Sequence, residues 1–300
     1  MSLVAGITVV GPADGQTTAA TLANPPERQS EPSWSPDGSR IAFRGGDFPD
    51  VDIWVAGADG GDPVRIVDHP AADDYPVWSP GGDHLAFVSN RDGVWKLYVA
   101  RADGSDLREL AITSELDRDP ARPAWTPDGE ELVIRIREPD ESTRLAAVPV
   151  TGGEIRRIPS PEGADWPDVA PDGTLVFTAP DGNGVPQVWT TPPGGADARP
   201  ITAGPGRKSL PRVTADGRYA LYLLNEDGTP LGWEIVRSRL DGSQPTRLTG
   251  DDYWKFYPEP SPDGGTVLFV TIRDGMSGPP KLWLVDADGS DARPFFGGSQ

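Results

Sequence analysis

A short turn motif returns along this chain at nearly constant intervals. It reads Pro36-Asp37-Gly38, Pro80-Gly81-Gly82, Pro127-Asp128-Gly129, Pro171-Asp172-Gly173, Ala215-Asp216-Gly217 and Pro262-Asp263-Gly264, at spacings of 44, 47, 44, 44 and 47 residues. A segment of the form Pro-x-Trp-Ser precedes the first three turns and weakens to Pro167-Asp168-Val169, Pro211-Arg212-Val213 and Pro258-Glu259-Pro260. An apolar run such as Ile41-Ala42-Phe43 or Leu85-Ala86-Phe87 follows each turn. A second turn comes later in each copy, at Asp59-Gly60, Asp103-Gly104, Gly152-Gly153, Gly194-Gly195, Asp241-Gly242 and Asp288-Gly289. Asp-Gly between β-type runs is a hairpin signal, because both residues tolerate positive φ. Each period therefore holds two hairpins, or four strands.

Four short antiparallel strands in a period of 44 to 47 residues describe a β-propeller blade, which buries both faces against its neighbours. The expected fold is all-β: a single six-bladed β-propeller over residues 1–300, with repeats near 23–66, 67–110, 111–158, 159–202, 203–249 and 250–297. A surplus hairpin at residues 7–22 is expected to close the ring by completing the last blade, which removes an exposed edge. Seven blades with one incomplete is the alternative. Ser105–Asp119 could pass for a helix by its lack of Gly and Pro, but the repeat register makes it strand plus loop.

Composition bounds the partners. With 46 Asp plus Glu against 27 Lys plus Arg, the net charge is -19, which disfavours nucleic acid and anionic membrane. Fourteen of those acids sit in Asp-Gly pairs, so much of the acidity is turn chemistry repeated around a ring. There is no Cys, hence no disulfide framework or thiolate chemistry. No apolar run reaches the roughly 18 residues of a membrane span, and the chain is expected to act as a monomer.

The segments SWSPDGSRIAF, VWSPGGDHLAF and AWTPDGEELVI, each followed by a strand such as DIWVAGADGG or KLYVARADGS, resemble the repeats of TolB-type β-propellers of the bacterial cell envelope. The resemblance covers about residues 7 to 297 and extends to the propeller alone, without the N-terminal α/β domain of TolB. It implies an extracytoplasmic setting, periplasmic or cell-surface. Similar blades also occur in the lids of prolyl-oligopeptidase-type peptidases and in polysaccharide lyases, so the repeat specifies a fold more than a role.

In such a ring, the connections from one blade's outer strand to the next blade's inner strand converge on one mouth of the channel. The residue before each inner proline is expected there, on a loop: Glu31, Tyr75, Arg122, Trp166, Leu210 and Tyr257. These six differ while their flanks repeat, so each is either free surface or individually useful; loops on rigid scaffolds commonly carry binding residues. Trp34, Trp54, Trp78, Trp125, Trp189 and Trp283 occupy repeat slots and read as inter-blade core. Trp166 and Trp254 fall outside those slots, near Tyr75, Phe256 and Tyr257, where amphipathic rings suit peptide or sugar. Asp73 and Asp74 oppose Arg207 and Lys208 three blades away, which would polarise the mouth.

Catalytic signatures are sparse. No G-x-S-x-G elbow occurs. The resemblance to propeller lyases implies a histidine-rich metal centre, yet only His69 and His84 are present. His69 with Asp73 or Asp74 could form an acid/base dyad or a weak metal site, and Asp117, Asp119, Asp47, Asp50 and Asp52 lack the spacing of a known calcium loop. The expectation is a non-enzymatic scaffold that binds a protein segment or peptide at the mouth and carries no cofactor or metal. The alternatives are a carbohydrate-binding propeller and a divergent metal-dependent hydrolase or lyase.

Overall fold

A computed structural model describes residues 24–111, 121–250, 253–273 and 278–297. They form six four-stranded antiparallel sheets and no helix. Blade one holds β1 (Gln29–Trp34), β2 (Arg40–Asp47), β3 (Asp50–Gly57) and β4 (Val64–Val67); blade two holds β5 (Asp73–Trp78), β6 (His84–Ser89), β7 (Lys96–Arg101) and β8 (Arg108–Glu109). Blade three holds β9 (Ala124–Trp125), β10 (Glu131–Arg137), β11 (Thr143–Pro149) and β12 (Arg156–Ile158); blade four holds β13 (Asp165–Val169), β14 (Leu175–Pro180), β15 (Pro186–Thr191) and β16 (Arg199–Pro200). Blade five holds β17 (Arg207–Val213), β18 (Tyr219–Asn225), β19 (Trp233–Arg239) and β20 (Thr246–Arg247); blade six holds β21 (Trp254–Pro260), β22 (Thr266–Ile272), β23 (Lys281–Asp286) and β24 (Arg293–Pro294). Six blades form the ring, as the repeat implies, and the described residues leave no seventh.

The repeated motif explains the first hairpin atom by atom. The Ser35 hydroxyl bonds the Asp37 carboxylate at 2.6 Å and accepts the Arg40 N–H at 2.9 Å, while Gly38 turns the chain at φ +70°. Ser79, Thr126, Thr214 and Ser261 accept the N–H five residues on in the same way. The second turn needs glycine for another reason. A Cβ on Gly104 would lie 2.2 Å from the Ile66 carbonyl oxygen, and one on Gly242 would lie 2.0 Å from that of Ile201, so these turns seat against the outer strand of the preceding blade. Only glycine allows so close an approach.

The core is divided into six apolar clusters, each drawn from two neighbouring blades. Phe43, Phe87, Phe177 and Phe269 fill equivalent second-strand positions and are fully buried. The six slot tryptophans join these inter-blade clusters, as their periodicity suggests. Blade six packs on blade one through Leu268, Val270 and Leu282 against Ile41, Phe43 and Trp54. The Gln29 N–H donates to the Pro280 carbonyl at 2.9 Å, and its side-chain oxygen accepts the Leu282 N–H at 3.2 Å. Residues 7–22, expected to close the ring, lie outside the described residues; blade six takes all four strands from its own repeat. Of Ser105–Asp119, the described part contains β8 and no helix.

Candidate functional site

The inner strands β1, β5, β13, β17 and β21 share a distortion. The residue before the proline lies in the left-handed region in each: Glu31 at φ 53°, Tyr75 at 55°, Trp166 at 51°, Leu210 at 51° and Tyr257 at 50°. The ladder to the second strand slips at the same place, between Ser30 and Ser33, Asp74 and Val77, Asp165 and Asp168, Ser209 and Arg212, and Phe256 and Glu259. Proline has no N–H to give the ladder, and a bulge absorbs the missing bond while re-aiming the neighbouring side chain. Pairing then resumes on both sides. These five residues consequently lie inside strands, which corrects the expectation that they sit on loops. Non-glycine residues in this region cost on the order of 1–3 kcal/mol each and persist where the surroundings over-determine them.

What they are aimed at is one another. Tyr75, Trp166 and Tyr257, from blades two, four and six, meet edge-on with ring centroids 5.7 Å (Tyr75–Trp166), 6.1 Å (Tyr75–Tyr257) and 6.2 Å (Trp166–Tyr257) apart. Burial, followed by the charge of Glu31, raises both tyrosine phenols above their ordinary range. Leu210 is buried beside Trp166 and Tyr257. Glu31 is 3% exposed. Its carboxylate accepts the Tyr75 backbone N–H at 3.2 Å and the Arg44 Nη1–H at 3.3 Å. Arg44 Nε also lies 3.2 Å from Asp74 Oδ1. One guanidinium thus serves two buried carboxylates. Burial, followed by the adjacent charge of Glu31, outweighs Arg44 at Asp74 and lifts its carboxyl well above the usual range.

A second layer lies two residues further along each inner strand: Ser33, Val77, Ala124, Asp168, Arg212 and Glu259. Arg122 donates from Nη1 and Nη2 to the two oxygens of Glu259, both at 2.9 Å, and Arg212 Nε donates to Glu259 Oε2 at 3.1 Å. Burial, then the charge of Arg122, pulls Arg212 down to about 10. Asp168 accepts the Val213 N–H at 2.8 Å, and burial raises its carboxyl. This layer forms part of a cavity of about 380 Å³ at the end of the channel that carries the Pro-Asp-Gly hairpins. The sequence reading missed it, although the signal was present: the x of Pro-x-Trp-Ser varies from copy to copy as much as the residue before the proline does.

The remaining candidates go elsewhere. Asp73 is fully buried and bonded to Arg91 Nη2 at 2.8 Å; burial raises its carboxyl. Lys208 is buried and donates to the Ala203 carbonyl at 2.8 Å, whereas Arg207 beside it is exposed. All three lie in strands rather than on loops. Trp254 packs edge-on to Phe256 at 5.4 Å and makes no pair with Trp166. His69 Nδ1 accepts the Ala71 N–H at 3.1 Å within its own turn, and His84 pairs with Asp83 on a first hairpin. Asp52 is tied to Arg65 within blade one; Asp117 and Asp119 lie outside the described residues. Among the described residues no group of three or more His, Cys, Asp and Glu side chains could hold a metal ion, and no helix is long and apolar enough to cross a membrane.

A family model for the TolB beta propeller domain matches residues 13–121 and 114–298. A curated relative, an uncharacterized protein of Agrobacterium fabrum, is 27% identical over 177 residues, 57% of this chain and 59% of that protein, so the match spans less than two thirds of the relative's length. Among solved structures, TolB from Acinetobacter baumannii aligns with a TM-score of 0.71 at 20% identity, over 84% of this chain and 62% of that one. A TolB-type structure from Agrobacterium tumefaciens aligns at 0.67 and 24% identity, over 78% and 84%. The tricorn protease aligns at 0.70 and 20%, over 92% of this chain and 27% of that one. At these identities the structural likeness is one of fold.

Proposed function

The chain belongs to the TolB β-propeller family, and from that premise we propose that it is a non-enzymatic scaffold of the bacterial cell envelope that binds a protein segment or peptide at the loop mouth of its channel. The observation that carries this reading is the exposure of Phe48 and Val94, at 67% and 61%. Phe48 lies at the tip of the β2–β3 hairpin and Val94 at the tip of the β6–β7 hairpin, on adjacent blades and on the face reached by the blade-to-blade loops. The corresponding tip of blade three is polar, Glu138-Pro139-Asp140-Glu141-Ser142, and the apolar residues at the tips of blades four and five, Val185 and Leu231, are half-buried rather than exposed. The repeat therefore does not require apolar residues there. Large apolar side chains held in water on rigid hairpins suit contact with another protein.

Exposed Arg207 and the nearby Trp254 extend this face at the starts of β17 and β21. Below it, Glu31, Asp74, Tyr75, Trp166 and Tyr257 fill the channel and act as a floor under an inserted segment, while Asp73 and Lys208 brace the strands that carry them. Arg122, on the far side of that floor, supports it through Glu259. A pull-down from envelope extract with wild type and a Phe48→Asp/Val94→Asp variant tests the reading. Wild type is expected to retain a defined partner that the variant loses. If both recover the same proteins, or wild type recovers none, the reading is wrong.

A further inference from the structure

The 380 Å³ cavity at the opposite end of the channel has two unlike halves. On blades one to three its wall is aromatic: Trp34, Trp78 and Trp125, following the small or apolar Ser33, Val77 and Ala124. On blades four to six the same strand positions hold Asp168, Arg212 and Glu259, followed by Val169, Val213 and Pro260. Core packing alone would not sort six repeats in this way, because equivalent positions in a ring meet equivalent neighbours. The polar half is balanced. Two guanidiniums, Arg122 and Arg212, face two carboxyl groups, Glu259 and Asp168. Three further donors of the lining are buried with no hydrogen-bond partner among the described residues: Trp34 Nε1, Trp78 Nε1 and Arg122 Nε. No acceptor of the lining is left in that condition.

We propose that this funnel is a carbohydrate site that seats one apolar face of a neutral pyranose against the Trp34–Trp78–Trp125 wall and its hydroxyl edge against Arg212, Glu259 and Asp168. A pyranose has a flat C–H face that packs on indole, and each of its hydroxyls both donates and accepts. Its oxygens can accept from the guanidiniums of Arg122 and Arg212, and its O–H groups can donate to the carboxylates of Asp168 and Glu259. The balanced charges favour a neutral ligand over an acid, which would set a further carboxylate beside Glu259. The volume lies within the range of small-molecule pockets.

Titration of the whole protein with glucose, galactose, mannose, N-acetylglucosamine, maltose and cellobiose, followed by tryptophan fluorescence and calorimetry, tests this. Galacturonate serves as the anionic control. At least one neutral sugar is expected to bind one-to-one with a dissociation constant on the order of millimolar. Trp34→Ala and Asp168→Asn are expected to weaken it about tenfold or more, while Phe48→Asp at the other end leaves it unchanged. If Trp34→Ala does not fold, Trp34→Phe keeps a smaller aromatic face and is expected to weaken binding by a smaller factor. Binding of none of the neutral sugars, binding of galacturonate alone, or neutral-sugar binding that survives both Trp34→Ala and Asp168→Asn overturns the proposal. Because the readout uses sugar and the opposite end of the channel, its failure leaves the protein-binding reading untouched.

Discussion

Arg122 and Glu259 lie 137 positions apart in the chain and face each other across the channel, both guanidinium Nη atoms 2.9 Å from a carboxylate oxygen. They join blade three to blade six, which share no cluster of the core. Arg212 of blade five completes the arrangement at 3.1 Å.

Glu259→Gln should therefore unbalance the ring. It leaves two buried guanidiniums without their shared anion, and removing one member of a buried ionic group costs about 3–5 kcal/mol. Arg157→Ala breaks the exposed pair with Glu138, 2.7 Å long, and should lower stability far less than Glu259→Gln does. Denaturant unfolding at neutral pH compares the two.

Trp166→Ala removes one of three rings that hold the channel shut, and a stability loss of about 3 kcal/mol is expected. Tyr75→Phe keeps the packing and loses only the hydroxyl, for about 1 kcal/mol. Equal effects of the two substitutions would show that packing is not what the triad contributes.

Acid and base should act through different carboxyls. Folded Asp74 holds its proton to a higher pH than it does in the unfolded chain, so the folded state binds more protons between those values and loses stability as pH rises through the folded one. Asp74→Asn should consequently be more stable than wild type at pH 8, with the difference shrinking toward pH 4. Asp37 behaves oppositely: the Ser35 hydroxyl and then the Ser39 N–H lower it to about 2. Its contribution is present above the ordinary carboxylate value and disappears as pH falls toward 2, so Asp37→Ala should converge with wild type in strong acid. Thermal unfolding across pH reports both.

The two kinds of turn glycine should differ. Gly38→Ala meets nothing closer than 3.8 Å and should cost about 1 kcal/mol, for positive φ alone. Gly242→Ala drives a methyl to 2.0 Å from the Ile201 carbonyl oxygen of the preceding blade and should cost about 2–4 kcal/mol. Melting temperatures of the two variants decide it.

Much of the fold was legible because each repeat spells out its own local chemistry. The Ser/Thr-Pro-Asp-Gly turns, the second-strand Phe and the slot tryptophans all recur, and each has a counterpart in a hydrogen bond or an inter-blade cluster. The site was legible only in outline. Glu31, Tyr75, Trp166 and Tyr257 stood out by differing between copies, and they do meet. Their placement on loops failed, because a proline that forfeits one ladder bond can be absorbed by a bulge inside a strand. Asp168, Arg212 and Glu259 were passed over because their variation looked like decay of the Pro-x-Trp-Ser motif.

The sequence by itself determined the number of blades, the two hairpins of each and the face every slot aromatic buries, since those depend on residues within a few positions or one period of one another. Only the tertiary structure decided which side chains face each other across the axis. Closing six blades into a ring brings positions from distant repeats within hydrogen-bond reach, and no periodicity encodes that Arg44 must serve both Glu31 and Asp74, or that Arg122 finds its carboxylate three blades away.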